Sequence, residues 1–289
     1  MSRVEKTVFL SYRRTNAPWA LAIFQALTHD GYDVFFDFMG IGSGDFEQII
    51  LENIRARAHF IVLLTPSALE KCSRDDDWLR REIEFALSMR RNVVPLMLEG
   101  FSFGSPAIAT QLTGRLAELK KYQALEVPAA YFPEAMARLR DRYLNVPLKA
   151  VLHPVSPAVQ EVAEKQQQAA TIAPVVKEPE LMAQGYFERA HDVAAIDDRI
   201  RLYSEAIRLK PDFLPALANR GGLREAQGDI AGALEDYNEA LRVRPDYVMA
   251  LANRANLHKS LGDFVRAQED YDEVARLERL KTRRVGLKD

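Results

Sequence analysis

Two residues with chemically useful side chains stand four positions apart in the segment WLRREIEFAL, namely Trp78 and Glu82. The apolar spacing of this segment predicts a helix, and a separation of four puts both side chains on one face. A carboxylate can stabilise a positive charge that develops on a ligand, and an aromatic plane can pack against a flat ring. Such a pair also occurs often by chance, so its meaning depends on the surrounding domain.

Polar segments follow two of the predicted strands. The residues YRR at 12–14 follow the first strand, and a segment with three glycines at 37–46 follows the second. Parallel strands end at the same edge of a sheet, and ligands of open α/β sheets bind at that edge. We therefore expect both segments to lie beside Trp78 and Glu82 in one cleft. The alternative for residues 12–14 is that they only cover the sheet edge.

The elements that position these residues alternate along the first half of the chain. The predicted strands cover 7–10, 32–37, 59–64, 92–98 and 122–127, and the predicted helices cover 17–30, 46–57, 78–90 and 132–143. Nearly continuous apolar strands that alternate with helices are typical of a parallel sheet covered on both faces. The pattern predicts an open five-stranded α/β domain over residues 1–146.

A Pro/Ala/Gln-rich linker is predicted at residues 147–178. The stretch 144–180 contains five prolines and has neither an aromatic residue nor a glycine. A segment of this composition buries little apolar surface. Its middle part begins with Ser156 and Pro157, which suits the start of a helix, and we expect one helix within the linker.

The C-terminal half contains an internal repeat with an offset of 34 residues. Residues 211–237 read PDFLPALANRGGLREAQGDIAGALEDY, and residues 245–271 read PDYVMALANRANLHKSLGDFVRAQEDY. In each copy the Gly-Asp pair ends one helix and caps the next. This helix–turn–helix unit resembles the tetratricopeptide (TPR) repeat. We expect about three such repeats in an all-α superhelix at 179–280, the first degenerate, followed by a basic tail at 281–289.

Stacks of TPR repeats bind other proteins and have no catalytic chemistry of their own. An unknown protein or peptide partner is therefore expected on this surface, and self-association through the repeats is a second option. Asn219 and Asn253 match positions where some TPR proteins hold a peptide carboxylate. A packing role or a hydrogen bond between helices is the favoured interpretation of both residues.

The N-terminal motifs together resemble the Toll/interleukin-1 receptor (TIR) domain. They are FLSYRR, FFDF with the glycine-rich loop after it, the WLRREIEFAL helix and NVVPLM, and the resemblance covers about residues 5–146. The segment at 63–88 is especially similar to TIR domains of animals that hydrolyse NAD⁺. The resemblance implies a flavodoxin-like fold and cleavage of the bond between nicotinamide and ribose in NAD⁺. The combination of TIR with TPR repeats is familiar from bacterial proteins.

The resemblance also implies roles for individual residues. Glu82 matches the catalytic glutamate of the family. The positions that match substrate-binding residues are Tyr12, Arg13, Arg14, Asp37, Gly44, Phe46 and Trp78. Asp37 and the loop at 40–44 match a mobile loop that opens or closes the pocket. This chain departs from the animal enzyme at Gly42, where that enzyme has an acidic residue, and in a shorter connection before Trp78.

The chemistry implied by the resemblance makes modest demands. Nicotinamide leaves NAD⁺ as a neutral molecule without a general acid, while positive charge develops on the ribose as in glycoside hydrolysis. The expected enzyme is an NAD⁺ nucleosidase or ADP-ribosyl cyclase-type hydrolase that releases ADP-ribose or a cyclic product. Self-assembly of TIR domains would activate it, in prokaryotic antiphage immunity. The alternative is a non-catalytic TIR–TPR signalling scaffold. A phospho-receiver is excluded because Thr65 and Pro66 stand where it needs an aspartate.

Composition excludes several other classes. Lys and Arg total 39 against 41 Asp and Glu, so the chain lacks the basic excess of a nucleic-acid-binding protein. No apolar run reaches ~18 residues and no secretory signal is evident, so we expect a cytoplasmic protein without a membrane partner. Cys72 is expected to be a non-catalytic, partly exposed thiol. The histidines show no metal spacing, so no metal and no cofactor is expected, with NAD⁺ as substrate.

Overall fold

The computed structural model describes residues 4–41, 46–148 and 150–286. The chain divides into two compact units, Met1–Arg189 and Ala190–Asp289. Within the described residues, no helix combines the length and the apolar character that crossing a membrane requires.

The first unit is built on a five-stranded parallel sheet. Its strands are β1 (Thr7–Ser11), β2 (Asp33–Phe35), β3 (His59–Leu64), β4 (Asn92–Met97) and β5 (Leu125–Glu126). Their order in the sheet is β2-β1-β3-β4-β5, and every neighbouring pair is parallel. This is the flavodoxin-like order, so the predicted fold is confirmed. The order reverses between β1 and β3, and the carboxyl ends of these strands form the crevice where such folds bind ligands.

Helices cover both faces of this sheet. They are α1 (Ala17–His29), α2 (Phe46–Ala56), α3 (Trp78–Ser88), the short α4 (Pro106–Gln111) and α5 (Phe132–Arg138). Successive strand residues point to opposite faces. Val8 and Leu10 therefore pack with α1 and α5, whereas Phe9 packs with α2 and α3. The ring of Phe9 also stacks on the ring of Phe60, with the two centroids 5.6 Å apart. Both faces of the sheet are apolar, which explains why apolar and polar residues do not alternate along the strand sequences.

Some predicted elements differ in length from those observed. The fifth strand is two residues long because residues Gly114–Lys121 form a 3-10 helix, and the Tyr122 N–H donates to the Leu119 carbonyl instead of pairing with β4. The closing helix continues from α5 into a π-helical turn, Leu139–Leu144. Helix α4 was not predicted, since its six residues are too few to show a periodic pattern.

Two more helices, α6 (Pro157–Ile172) and α7 (Glu178–Arg189), belong to the first unit. Pro157 occupies the start of α6, where its missing N–H costs nothing. Along α6, Val159 and Ala163 pack with the α2 side of the sheet, and Ala170 packs with the α1 side. The segment after α5 therefore wraps around the domain.

The second unit is all helical. Its helices are α8 (Ile196–Leu209), α9 (Leu214–Ala226), α10 (Ile230–Val243), α11 (Val248–Ser260) and α12 (Phe264–Gly286). Gly228 and Gly262 end α9 and α11 with φ of 82° and 79°, which is a conformation that glycine adopts without strain. The predicted Gly-Asp turns are thus confirmed. Within the predicted basic tail, residues 281–286 continue α12, and residues 287–289 lie outside the described residues.

In each helical hairpin of this unit, an equivalent ion pair joins the first helix to the second. Arg220 donates to Asp236, and 34 residues later Arg254 donates to Asp270, in both cases with two hydrogen bonds of 2.6–3.0 Å. The Asn219 amide donates to the Tyr203 hydroxyl at 3.2 Å, which confirms the favoured interpretation of Asn219 as a hydrogen bond between helices.

Candidate active site

Helix α3 brings Glu82 to the carboxyl end of β1. The helix begins after Asp77, whose carboxylate accepts a hydrogen bond from the Arg80 N–H at 3.1 Å and so caps the first turn. Leu79 and Ile83 face the sheet and are buried. Glu82 lies on a different side of the helix, where Ser11, the last residue of β1, donates from its hydroxyl to Oε2 at 2.5 Å. A carboxylate therefore stands at the reversal point of the strand order.

The environment of Glu82 is unusual for a carboxylate. The residue is only 9% exposed, and burial raises the pKa of its carboxyl from the ordinary 4.5 to about 7. The hydrogen bond from Ser11 acts in the opposite direction, Asp37 raises the pKa further and Arg13 lowers it. Glu82 consequently exchanges between its protonated and ionised forms near neutral pH, which is typical of functional carboxylates.

Tyr12, Arg14 and Asp37 lie together beside this carboxylate. The Tyr12 hydroxyl donates to the Asp37 carbonyl at 2.7 Å, and Arg14 donates to the Asp37 carboxylate at 2.5 Å. The Gly40 N–H donates to the same carboxylate at 3.0 Å. Burial raises the pKa of Tyr12 well above its usual range, so its hydroxyl keeps its proton. The Arg14 side chain is half exposed and can reach a ligand at the surface.

Trp78 packs between the first turn of α2 and its own helix. The Phe46 ring meets the Trp78 ring edge-on, with centroids 4.6 Å apart. The Arg81 guanidinium lies 4.2 Å from the Trp78 ring centroid and donates to the Glu47 carboxylate. The structure thus brings Phe46 and Trp78 together, whereas Gly44, also a predicted site residue, lies outside the described residues.

Arg13 points into the domain and not toward Asp37. Its guanidinium donates to both carboxylate oxygens of Asp77, at 2.7 and 2.8 Å, and to the Ala68 carbonyl at 2.7 Å. Burial acts to raise the pKa of Asp77, but the bonds from Arg13 and the Arg80 N–H outweigh it and lower that pKa. Arg13 therefore joins the end of β1 to the start of α3, and its role in substrate binding stays a prediction.

Cys72 lies beneath this ion pair. The expectation that its thiol is partly exposed is wrong, because the turn after β3 folds it against the apolar face of α3, where it is fully buried. Its Sγ–H donates to Asp77 at 3.3 Å. Burial raises the pKa of the thiol to about 12, so the reactive thiolate does not form at neutral pH.

Three residues at this site were not predicted as site residues from sequence. Asp77 carries a recognisable signal, since an aspartate directly before a periodic apolar segment is typical of a helix start. Ser11 differs from other small polar residues only in its place at a strand end. Gln166 of α6 donates to the Asp37 carboxylate at 3.4 Å and accepts from the Met39 N–H at 2.7 Å. No local pattern connects residues that are 129 positions apart.

Comparison with known proteins matches two families. The family model described as TIR domain matches residues 8–128, and the one described as TPR repeat matches residues 223–262.

Three curated proteins are similar to the N-terminal part. NAD(+) hydrolase tir-1 of Caenorhabditis elegans is 31% identical over 136 residues, NAD(+) hydrolase sarm1 of Drosophila melanogaster is 35% identical over 100, and NAD(+) hydrolase SARM1 of Danio rerio is 30% identical over 123. These matches cover 46%, 33% and 41% of this chain, but only 14%, 7% and 17% of those proteins. The shared part is the TIR region. The chain therefore joins a TIR domain to a TPR repeat.

Proposed function

We propose that this TIR domain hydrolyses NAD⁺ and that Glu82 is its catalytic carboxylate. The proposal is supported by the similarity of the domain to three proteins named NAD(+) hydrolase. The observation that carries it is Glu82 itself, a buried carboxylate with a pKa of about 7 at the carboxyl end of β1. Burial of such a group costs stability, and a catalytic role accounts for its presence.

In the proposed reaction the bond between the ribose carbon and the nicotinamide nitrogen breaks, and its electron pair goes to nicotinamide. The ribose becomes cationic as that bond lengthens. The ionised Glu82 stabilises this charge in a site of low dielectric, where the attraction is stronger than in water. Water then adds to the ribose carbon and loses a proton, which gives ADP-ribose. Attack by an adenine nitrogen instead of water gives the proposed cyclic product.

Other residues around Glu82 fit parts of the substrate. Arg14 is half exposed and can pair with pyrophosphate oxygens through charge-assisted hydrogen bonds. Trp78 offers an aromatic surface next to Phe46 for a flat ring. The Tyr12 hydroxyl donates to the Asp37 carbonyl, and Tyr12 lies close enough to Glu82 for the charge of that carboxylate to raise the pKa of Tyr12. We propose these three as substrate contacts.

Regulation and setting are further parts of the proposal. Self-association of TIR domains would switch on the activity, and the TPR region would bind a protein or peptide that triggers it. A cytoplasmic role in prokaryotic antiphage immunity fits this arrangement, since depletion of NAD⁺ or release of a product would stop an infected cell. Phage challenge of cells that express the wild-type chain or Glu82→Gln tests this role, and equal phage yield from both would contradict it.

Release of nicotinamide from NAD⁺ tests the proposed activity. The full chain would be assayed at high protein concentration, with and without a crowding agent, beside Glu82→Gln and Glu84→Gln. Glu84 lies on the same helix and pairs with Arg80 at 3.0 Å, so it is a matched control that leaves the site intact. We expect release from the wild type and Glu84→Gln, but none from Glu82→Gln. Absence of release from assembled wild-type protein would favour the non-catalytic scaffold.

A further inference from the structure

The hydrogen bond between Ser11 and Glu82 joins two buried side chains. Ser11 is 1% exposed and Glu82 is 9% exposed, and the Ser11 Oγ lies 2.5 Å from Glu82 Oε2. Over the described ranges, no Lys, Arg or His nitrogen lies within 4.0 Å of the Glu82 carboxylate. A neutral hydroxyl, and not a cation, therefore holds this carboxylate in place.

The cation that could have neutralised Glu82 is engaged elsewhere. Arg13 is the cationic side chain that lowers the pKa of Glu82 through its charge, but its guanidinium donates to Asp77 and to the Ala68 carbonyl. Glu82 thus keeps its full negative charge when it ionises. A carboxylate that must attract a developing cation needs an uncompensated negative charge, because a cation already paired with it in a salt bridge would weaken that attraction.

Both partners of this hydrogen bond stand on rigid elements. Ser11 pairs with Val62 of β3 at the centre of the sheet. Glu82 lies in the second turn of α3, whose start is fixed by Asp77. A donor on a central strand and an acceptor on a capped helix hold the carboxylate in one orientation, as a precise site requires.

We propose that Ser11 is a positioning residue for Glu82. The Ser11 hydroxyl occupies Oε2 of Glu82 and so turns the second carboxylate oxygen toward the ribose of the substrate. This inference rests on the proposed function. It predicts two effects of removing the hydroxyl. The carboxylate loses its orientation, and its ionised form loses a hydrogen bond that burial leaves hard to replace.

The test compares Ser11→Ala and Ser11→Thr with the wild-type full chain. In Ser11→Ala we expect kcat at pH 7 to fall at least tenfold with little change in KM, and the acidic limb of the pH profile to move up by about one pH unit. Ser11→Thr keeps the hydroxyl and restores most of kcat. It also keeps the experiment informative if Ser11→Ala folds poorly.

The matched control is Ser67→Ala. The Ser67 hydroxyl donates to the Glu188 carboxylate at 2.6 Å, which is a half-buried serine–glutamate bond that does not touch Glu82. Its removal is expected to leave the pH profile unchanged. If Ser11→Ala keeps the wild-type kcat and pH profile while Glu82→Gln is inactive, Ser11 does not position Glu82.

A second readout separates this inference from the proposed function. The carboxyl carbon of Glu82, assigned in the NMR spectrum by its absence in Glu82→Gln, reports the pKa without substrate. We expect that pKa to be higher in Ser11→Ala than in the wild type, whether or not nicotinamide is released. An unchanged pKa would overturn the role of Ser11, while a shifted pKa in an inactive protein would overturn only the enzyme proposal.

Discussion

Arg13 and Asp77 form a two-pronged ion pair between the end of β1 and the start of α3, with N–O distances of 2.7 and 2.8 Å. The same Asp77 carboxylate caps α3 by accepting from the Arg80 N–H. One acidic side chain thus fixes both the position and the first turn of the helix that carries Glu82. The candidate catalytic carboxylate depends on this pair for its place, although neither partner touches it directly.

Loss of this pair should destabilise the domain. Arg13→Ala leaves the Asp77 carboxylate, which is 7% exposed, without its cation, so we expect the free energy of unfolding to fall by about 1–3 kcal/mol. The pKa of Asp77 is lowered in the folded state. The contribution of ionised Asp77 to stability is therefore present above the pKa of about 3.8 that its carboxyl has in the unfolded chain, and it is lost as pH falls through the lower pKa of the folded state. Urea unfolding at pH 7 and pH 3 measures both effects.

A double-mutant cycle isolates the pair. If Arg13→Ala, Asp77→Asn and the double variant show additive losses of stability, the two side chains do not interact energetically and the interpretation fails.

The proposed activity should rise with pH through neutrality. Ionised Glu82 is the form that stabilises a cation, and its pKa is raised to about 7 by burial. The rate at pH 6 should therefore be about tenfold below the plateau, with half of the plateau reached near pH 7. Nicotinamide release measured from pH 5 to pH 9 checks this expectation. A profile that is flat from pH 5 upward would mean that an ordinary, exposed carboxylate is responsible.

Replacement of Glu82 by glutamine should stabilise the protein at high pH. The folded pKa of about 7 exceeds the ordinary 4.5, so folding favours the protonated form. The stability of the wild type is full below about pH 4.5 and declines as pH rises through 7, by up to roughly 3 kcal/mol. Glu82→Gln has no such loss. Its unfolding free energy should match the wild type near pH 4 within about 1 kcal/mol and exceed it at pH 8, and the reverse order would contradict the burial of the charge.

Helix α6 should be held to the TIR domain by Gln166. This side chain is 3% exposed and bonds to both the Met39 N–H and the Asp37 carboxylate. Gln166→Ala should weaken docking by about 1–2 kcal/mol and raise hydrogen exchange of the α6 amides about tenfold. The control is Gln168→Ala, an exposed residue of the same helix. Equal exchange in both variants would show that α6 docks through its apolar residues alone.

Two adjacent glycines of α9 should respond oppositely to alanine. A Cβ on Gly221 would stand 2.6 Å from the Tyr237 ring, so Gly221→Ala should destabilise the helical unit by about 1–3 kcal/mol. A Cβ on Gly222 would have its nearest neighbour, the Tyr237 hydroxyl, at 3.8 Å. Gly222→Ala should stabilise by about 0.5–1 kcal/mol, since alanine favours helix. Thermal unfolding of both full-length variants measures the difference. A destabilised Gly222→Ala would contradict the packing described here.

The predicted fold follows closely from local patterns. Apolar runs such as HFIVLL predict β3 with correct bounds, because a strand buried on both faces must be apolar throughout. The offset of 34 residues predicts the paired helices of the second unit, since each Gly-Asp turn encodes a helix end and a cap. The shortened β5 was beyond prediction, because its length depends on a hydrogen bond between Tyr122 and Leu119.

The candidate site, too, has features that local sequence predicts and features that depend on contacts between distant parts of the chain. The spacing of Trp78 and Glu82 along one helix is a local property, and so is the position of Tyr12 after a strand. The partners of these residues are distant along the chain, as with Glu82 and Ser11, which are 71 positions apart. Their choice depends on which strand lies under which helix.

The sequence by itself determined that the chain has an α/β domain with a candidate carboxylate and a helical repeat, because periodicity, helix caps and turn residues are local. Only the tertiary structure decided that Glu82 is buried with Ser11 as its donor, that Arg13 turns inward to Asp77 and that Cys72 is inaccessible. The reason is physical. Burial, pKa and the choice of a hydrogen-bond partner depend on the neighbours that packing supplies, and those neighbours come from remote parts of the chain.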